Sequence, residues 1–149
     1  MKRILFVCHG NICRSPMAEF IMKKLIEEKR LSDVFYIDSA AVSTEELGNS
    51  IYPPAQRMLT RKGIPFEDHR ARQISRNDYF LFDLIIYMDE SNLRWLHRIF
   101  PDDPEGKMHL MMDYVGERRD VADPWYTGDY EATYNDLDRA CRALLKTVS

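Results

Sequence analysis

The amino-acid sequence predicts an α/β fold, with a doubly wound, four-stranded parallel sheet and helices on both faces. Short apolar runs alternate with segments of helical periodicity, which is the pattern of consecutive strand–helix units. Residues 81–88 are apolar except for Asp83, as expected of a central parallel strand buried on both faces. A cysteine, a glycine and an asparagine follow the first apolar run, and such sheets bind ligands at the carboxyl ends of their strands.

The first half of the chain contains two predicted strand–helix pairs. Residues 4–7 form the first strand, and a helix predicted from residue 16 to about residue 30 carries its apolar residues on one side. Residues 34–38 form the second strand. The polar segment 43–52 predicts a loop, and the helix predicted at about residues 54–62 is closed by Gly63.

The second half repeats this alternation. The strand predicted at residues 81–88 is followed by a helix over about residues 90–100, which Pro101 ends. Residues 107–111 predict a short fourth strand. Apolar residues recur at helical spacing from Tyr134 to Val148, so the chain is expected to end in an amphipathic helix.

Composition and charge narrow the functional class. The chain has 149 residues, 45% hydrophobic and 30% charged, as expected of one globular domain spanning residues 1–149. The net charge of −3 gives no basic footprint, so no nucleic-acid partner is predicted. No apolar run approaches the ~20 residues of a membrane span. Three cysteines, an odd number, favour a reducing compartment, and a cytoplasmic location is predicted.

The most informative segment is residues 8–15, called the phosphate loop below. Cys8 and Arg14 enclose five residues, and a predicted helix follows Ser15 directly. A thiol at a strand end beside a helix N-terminus lies where backbone N–H groups favour an anion, so it ionises readily and acts as a nucleophile. Arg14 offers a planar fork for two phosphate oxygens. This predicts a cysteine-dependent phosphatase. The alternative is a buried strand cysteine beside an unrelated surface arginine.

The other residues of the phosphate loop have predictable tasks. Gly10 permits a close backbone approach to a ligand, and Asn11 tolerates the left-handed backbone region while its amide joins parts of the loop. Ser15 can donate a hydrogen bond to the Cys8 sulfur. Pro16 suits the first turn of the helix, where an N–H would be unpaired. The predicted phosphate- and substrate-binding set also includes His9, Ile12 and Cys13.

Asp123 is the second residue with predicted chemistry. Release of a phenolate from phosphorus needs a proton donor at the leaving oxygen, and a carboxylic acid on a neighbouring loop can supply the proton. The same carboxylate can then activate water against a phosphocysteine intermediate. The alternative is an ordinary turn aspartate before Pro124. Trp125 and Tyr126 are predicted to form a wall for the substrate's phenyl ring, with simple packing as the alternative.

These motifs resemble those of the low-molecular-weight protein tyrosine phosphatases. The resemblance runs over nearly the whole chain and includes the phosphate loop, Asp123-Pro124-Trp125-Tyr126, Asp38-Ser39-Ala40, the segment from His69 to Ile74 and Met88-Asp89-Glu90-Ser91-Asn92, in the order of the family. It implies a single-domain α/β fold and hydrolysis of phosphotyrosine in protein substrates, without a metal or other cofactor. The histidines at 9, 97 and 109 likewise have no spacing typical of a metal site.

The resemblance also implies supporting roles. In the family pattern the cysteine that matches Cys13 bonds to the nucleophile as a disulfide and protects it from overoxidation, so redox regulation is predicted. His69 is expected to be a buried histidine that braces the phosphate loop, alongside Ser39, Asp89 and Asn11. Cys141 is expected to be inert core. The oligomeric state is expected to be monomeric or weakly self-associating.

Three other functions are considered. An arsenate reductase with a similar loop needs two relay cysteines in mid-chain, and none lies between Cys13 and Cys141. A protein-arginine phosphatase of the same fold typically carries threonine at the position of Ile12, and isoleucine better suits an aryl group. A phosphotyrosine-binding module without activity is expected to lack Cys8 or Asp123, and both are present.

One position departs from the family pattern. The segment 43–49, called the rim loop below, resembles one that usually carries an aromatic residue at the rim of the pocket, and alignment places Glu45 there. If Glu45 lines the rim, aryl substrates are expected to bind less tightly and basic flanking residues to be preferred. The alternative is that Glu45 points into solvent.

Overall fold

The chain forms a parallel sheet connected by helices. The computed structural model describes residues 1–149 and contains, in order, β1 (Lys2–Cys8), α1 (Arg14–Glu28), β2 (Phe35–Ala41), α2 (Pro53–Arg61), α3 (Arg76–Leu81), β3 (Leu84–Tyr87), α4 (Glu90–Ile99), β4 (Met108–Leu110), a 3-10 helix (Met111–Val115), α5 (Pro124–Thr127) and α6 (Tyr130–Val148). No helix is long and apolar enough to span a bilayer.

The sheet places the end of β1 at its centre. The strand order is β2-β1-β3-β4 and every pair is parallel. The chain moves from β1 to β2 on one side and then crosses to β3 on the other, so the two sides diverge at the carboxyl end of β1. A crevice forms at such a point, and Cys8 stands at its base.

The core lies in two layers, one on each face of the sheet. Successive side chains of a strand point to opposite faces, so Ile4 and Phe6 pack in the larger cluster with residues of α1 and α6. Leu5 and Val7 pack in the other cluster, with residues that include Tyr79 and Leu96. The predicted doubly wound, four-stranded parallel sheet with helices on both faces is confirmed.

The strand predicted at residues 81–88 is shorter in the structure, and its first residues were assigned wrongly. Leu81 ends α3, and β3 begins only at Leu84. The helix starts at a capping box, in which Asp78 accepts from the N–H of Ser75 at 2.8 Å while the Ser75 side chain faces the backbone of Asp78. The capping box sets a helical turn that the apolar pattern of residues 79–82 did not reveal.

The C-terminal helix is longer than its apolar pattern suggested. It begins at Tyr130, where the Asp129 carboxylate accepts a hydrogen bond from the Ala132 N–H at 2.9 Å. Thr133, in the first turn of α6, is buried but polar, so the apolar periodicity of the sequence begins only at Tyr134. Starting α6 at Tyr130 brings that residue and Thr133 to the site described next.

Candidate active site

The phosphate loop joins the end of β1 to the start of α1. Cys8 is only 3% exposed, and its Sγ lies 3.0 Å from Oγ of Ser15. The backbone N–H of Ser15, in the first turn of α1, also donates to Sγ of Cys8 at 3.4 Å. Both contacts stabilise negative charge on sulfur, as does the positive end of the α1 dipole.

Asn11 holds the phosphate loop together from the inside. Its side chain is fully buried and its φ of 61° lies in the left-handed region. Nδ2 donates to Oγ of Ser15 at 2.8 Å and to Oγ of Ser39 at 3.0 Å, while Oδ1 accepts from the backbone N–H of Arg72 at 3.2 Å. One side chain therefore connects the phosphate loop to β2 and to the segment before α3.

A buried carboxylate supports this arrangement from α1. Glu19 is 3% exposed, and its Oε1 accepts from Oγ of Ser39 at 2.6 Å and lies 3.7 Å from Nδ1 of His69. Nε2 of His69 lies 3.1 Å from Oδ1 of Asn11 and close to the Asn11 carbonyl, so it donates there. Lys23 balances the charge of Glu19 at 2.6 Å. Ser39, His69 and Asn11 thus form one network with Glu19.

Arg14 is fixed by residues from two other loops. Nη1 donates to Oδ2 of Asp89 at 2.7 Å and to the carbonyl of Val121 at 2.8 Å, and Nη2 lies 3.4 Å from Oδ2 of Asp123. Burial alone would lower the pKa of Arg14, but the negative charges of Cys8, Asp89 and Asp123 raise it overall. The structure places Asp89 on the arginine, away from the His69 network with which it was grouped.

Asp123 approaches the pocket from the segment 116–123, called the acid loop below. Its Oδ1 caps α5 by accepting from the Trp125 N–H at 3.0 Å, which leaves Oδ2 directed at Arg14. The hydroxyl of Thr133 donates to the carbonyl of Ala122 at 3.1 Å and so holds the acid loop to α6. The Asp123 side chain is 27% exposed and can reach both a bound ligand and water.

These elements surround one pocket of about 160 Å³. Its floor is cationic at Arg14 and nucleophilic at Cys8, and its walls are apolar at Ile12 and Trp125. The ring of Trp125 packs on Tyr52, with the centroids 4.8 Å apart. The lining residues are Cys8, His9, Gly10, Ile12, Cys13, Arg14, Glu45, Glu46, Asp123, Trp125 and Tyr126.

The rim loop forms the acidic side of the pocket. Glu45 lines it with a side chain that is 67% exposed, and its Oε2 lies 2.7 Å from Nε2 of His9. The Glu46 side chain closes over Gly10, where an added Cβ would lie 3.1 Å from Glu46 Cγ. A Cβ at position 10 would therefore require the Glu46 side chain to shift by a few tenths of an ångström.

The remaining cysteines are buried thiols. Burial, and then the negative charge of Cys8, raises the pKa of Cys13 to about 12. The Cys13 sulfur lies 3.9 Å from the Tyr130 hydroxyl, at the wall of the pocket. Cys141 is fully buried in the core between α6 and α1, where its thiol donates to the Ala18 carbonyl at 3.7 Å. No group of three His, Cys, Asp or Glu side chains is arranged to hold a metal ion.

Sequence reasoning missed several contributors to the site. Glu19 lies in a helix with a polar neighbour at Lys23, so nothing in its spacing marks it as buried. Tyr52, Thr133 and the Val121 carbonyl act through long-range contacts that no local pattern encodes. The contact of Glu46 with the phosphate loop was missed as well. Its one indication in the sequence was Gly10, which permits another residue to approach closely.

Comparisons with known proteins find similarity over nearly the whole chain. The family described as low molecular weight phosphotyrosine protein phosphatase matches residues 3–149. The pig protein of that name is 43% identical over 152 residues, which cover 99% of this chain and 96% of the relative. The crystal structure of Bacillus subtilis YfkJ has a TM-score of 0.95 at 38% identity and covers 99% of this chain and 94% of that chain.

A third relative carries a different name. The crystal structure of a Drosophila arginine phosphatase has a TM-score of 0.88 at 34% identity, with 99% of this chain and 97% of that chain covered. The likeness to all three relatives extends over nearly the full chain, so the sequence-based identification is confirmed. The chain belongs to the low molecular weight phosphotyrosine protein phosphatase family.

Proposed function

We propose that the protein hydrolyses phosphotyrosine in protein substrates through a phosphocysteine intermediate. The observation that carries the proposal is the convergence of Cys8, Arg14 and Asp123 on one pocket, with the sulfur at its floor and the carboxylate on its wall. A relative named for phosphotyrosine phosphatase activity is 43% identical. The apolar walls at Ile12 and Trp125 suit an aryl group.

The first step is transfer of the phosphoryl group to sulfur. The Cys8 thiolate attacks phosphorus in line with the tyrosine oxygen, an S–P bond forms and the O–P bond breaks. Asp123 donates its proton to the leaving phenolate oxygen. Arg14 and the N–H groups of the phosphate loop hold the equatorial oxygens, where negative charge is spread in the transition state.

The second step returns the enzyme to its starting state. Asp123, now a carboxylate, takes a proton from water, which attacks phosphorus as the S–P bond breaks. Cys8 leaves as a thiolate, and the Ser15 hydroxyl at 3.0 Å stabilises it by a hydrogen bond. The products are inorganic phosphate and the free thiolate.

The test is detection of the intermediate. Purified protein mixed with a phosphotyrosine peptide and quenched in acid should carry one phosphoryl group on Cys8, found by mass spectrometry of the digested chain. The Asp123→Asn variant should accumulate more of it with an activated aryl phosphate, because the second step loses its base. No label on Cys8 in either protein would contradict the mechanism.

A protein-arginine phosphatase is the second candidate, and two observations favour it. A structural relative bears that name, and Glu45 and Glu46 give the pocket an acidic side that would attract a guanidinium. Ile12 favours the aryl substrate. Parallel assays with phosphotyrosine and phosphoarginine decide between them, and Ile12→Thr should shift the ratio of the two kcat/KM values toward phosphoarginine.

Further properties are proposed with the function. All three cysteines are free and buried, which suits a reducing compartment, and we infer a cytoplasmic location. We also infer that the chain is one domain, needs no cofactor, is monomeric or weakly self-associating, and is regulated by oxidation of Cys8. No cysteine lies between Cys13 and Cys141, so the chain lacks the two mid-chain relay cysteines that an arsenate reductase needs.

A further inference from the structure

The pocket rim contains a histidine–carboxylate contact that catalysis, as proposed above, does not use. Nε2 of His9 lies 2.7 Å from Oε2 of Glu45, and the Glu45 side chain is 67% exposed while that of His9 is 33% exposed. His9 follows the nucleophile directly, so its position is fixed by β1 and the phosphate loop. Its partner Glu45 comes from a different loop.

We propose that Glu45, positioned by His9, selects protein substrates in which a cationic side chain flanks the phosphotyrosine. The inference rests on the proposed phosphotyrosine activity. It assigns Glu45 as the specificity-determining residue and His9 as its positioning residue.

The rim loop is fixed relative to the sulfur by several contacts. The His9 carbonyl accepts from the N–H of Ser43 at 3.2 Å and from the Ser43 hydroxyl at 2.9 Å. The N–H of Val42 donates to the Cys8 carbonyl at 3.0 Å. A carboxylate held at a fixed distance from the phosphate site can bind the substrate residue beside the phosphotyrosine selectively, because the carboxylate loses little side-chain entropy on binding.

The His9 ring is itself held in place. It makes a T-shaped contact with the ring of Trp95, with the centroids 5.5 Å apart and the planes at 77°. The Arg98 guanidinium covers Trp95, with its carbon 4.7 Å from the ring centroid. Arg98, Trp95 and His9 therefore form a stack that ends at Glu45 and restricts where the carboxylate can lie.

The charges of the site favour a cation at the rim and an anion at the floor. Arg14, the cation at the floor, is engaged by Asp89 and the Val121 carbonyl. The rim presents Glu45 and Glu46, and Glu46 is engaged by Asn49 at 2.6 Å. Glu45 has only the partly exposed His9 as partner, so its second oxygen stays available to a substrate lysine or arginine.

The experiment uses two phosphotyrosine peptides that differ only in one residue beside the phosphotyrosine, lysine in one and glutamate in the other. At low ionic strength the wild-type ratio of kcat/KM, lysine peptide over glutamate peptide, is expected to be about 5-fold, since exposed charge pairs are weak. The ratio should shrink as salt is added. The preference should reside in KM, because Glu45 does not touch the reacting atoms.

The variants separate this contact from bulk charge. Glu45→Gln should bring the ratio close to one, whereas the matched control Glu46→Gln, which removes the same charge from the next residue, should keep most of it. His9→Leu should lower the ratio, and His9→Gln, which can still donate to Glu45, should restore it.

The results distinguish failure of the inference from failure of the proposed function. An unchanged ratio in Glu45→Gln, or an equal fall in Glu45→Gln and Glu46→Gln, would overturn the inference. Hydrolysis of both wild-type peptides at equal kcat/KM would overturn the selectivity but leave the proposed function intact. No hydrolysis of either peptide would overturn both.

Discussion

Arg14 lies 3.4 Å, Nη2 to Oδ2, from Asp123, so the group proposed to bind the phosphoryl oxygens already contacts the group proposed to donate the proton. A phosphoryl group bound in front of Arg14 would bring its negative charge close to Asp123, the group proposed to donate the proton. Arg14 therefore links the substrate to the proposed acid.

Asp123→Asn should remove acid catalysis with little change in local structure, because the amide oxygen can still accept from the Trp125 N–H. Turnover of an unactivated aryl phosphate should fall by about 10²- to 10³-fold, and turnover of a nitrophenyl phosphate much less. The basic limb of the pH–rate profile should disappear. An equal loss with both leaving groups would instead indicate a structural role.

Cys8→Ser should abolish turnover while inorganic phosphate still binds, because Arg14 and the loop amides remain. Isothermal titration with phosphate measures the binding, and a phosphotyrosine peptide measures the turnover. Measurable hydrolysis by this variant would rule out Cys8 as the nucleophile.

Arg14→Lys should cost at least about 10²-fold in kcat/KM, because a point charge cannot replace the planar fork that meets two phosphate oxygens. The lysine also cannot satisfy Asp89 and the Val121 carbonyl together in the same geometry. The dissociation constant of phosphate should rise with the loss of rate. A variant with near-normal kcat/KM would show that bidentate binding is not used.

Asn11→Ala should destabilise the fold as well as the site. Its side chain makes four hydrogen bonds in a fully buried position, and partners left unpaired cost about 1–3 kcal/mol, to which alanine at a left-handed φ adds about 1 kcal/mol. Asn11→Gly also loses the hydrogen bonds but avoids the strain of alanine at a left-handed φ. Its free energy of unfolding should therefore lie between those of Asn11→Ala and the wild type. Equal stabilities for Asn11→Ala and wild type would contradict the network.

Oxidation should close a Cys8–Cys13 disulfide at a rate that increases with pH. Peroxide converts the Cys8 thiolate to a sulfenic acid, and the Cys13 thiolate then displaces hydroxide from that sulfur. Because burial and the Cys8 charge raise the pKa of Cys13 to about 12, only a small fraction of Cys13 is thiolate near neutrality, and that fraction grows about tenfold per pH unit. Oxidation of Cys8 to the sulfenic acid removes its negative charge, and burial alone then keeps the pKa of Cys13 raised.

Quenched samples analysed by mass spectrometry measure this closure step. Cys13→Ser should give no linkage and a larger amount of irreversibly oxidised Cys8, while Cys141→Ala should close at the wild-type rate because Cys141 does not line the pocket and its thiol contacts the Ala18 carbonyl. A closure rate independent of pH would show that thiolate formation at Cys13 is not limiting.

Local features of the sequence carried most of the predicted fold and part of the site. The phosphate loop is continuous in sequence, so its strand, glycine, arginine and helix start could be identified together. Asp123 lies far along the chain and was found through its motif. Its contact with Arg14 depends on the acid loop, which Thr133 and Val121 position.

The errors have physical reasons as well. Residues 79–82 form an apolar run, and such a run does not distinguish a short helix from a buried strand. The Ser75–Asp78 capping box was the available signal for α3. Glu19 could not be identified because a charged residue on a helix is usually solvated, and its contacts with Ser39 and Lys23 make its burial tolerable.

Arg14 and its two partners, Asp89 and the Val121 carbonyl, form an arginine clamp that has a consequence for biosynthesis. The ribosome releases the strand that carries Cys8 early, but Asp89 and the Val121 carbonyl, which orient Arg14, are translated much later. A nascent chain therefore contains the Cys8 thiol before the partners of Arg14 can hold the guanidinium in position. Because the clamp joins distant parts of the chain, competence for phosphoryl transfer is expected to arise abruptly, late in translation, when these long-range contacts form together.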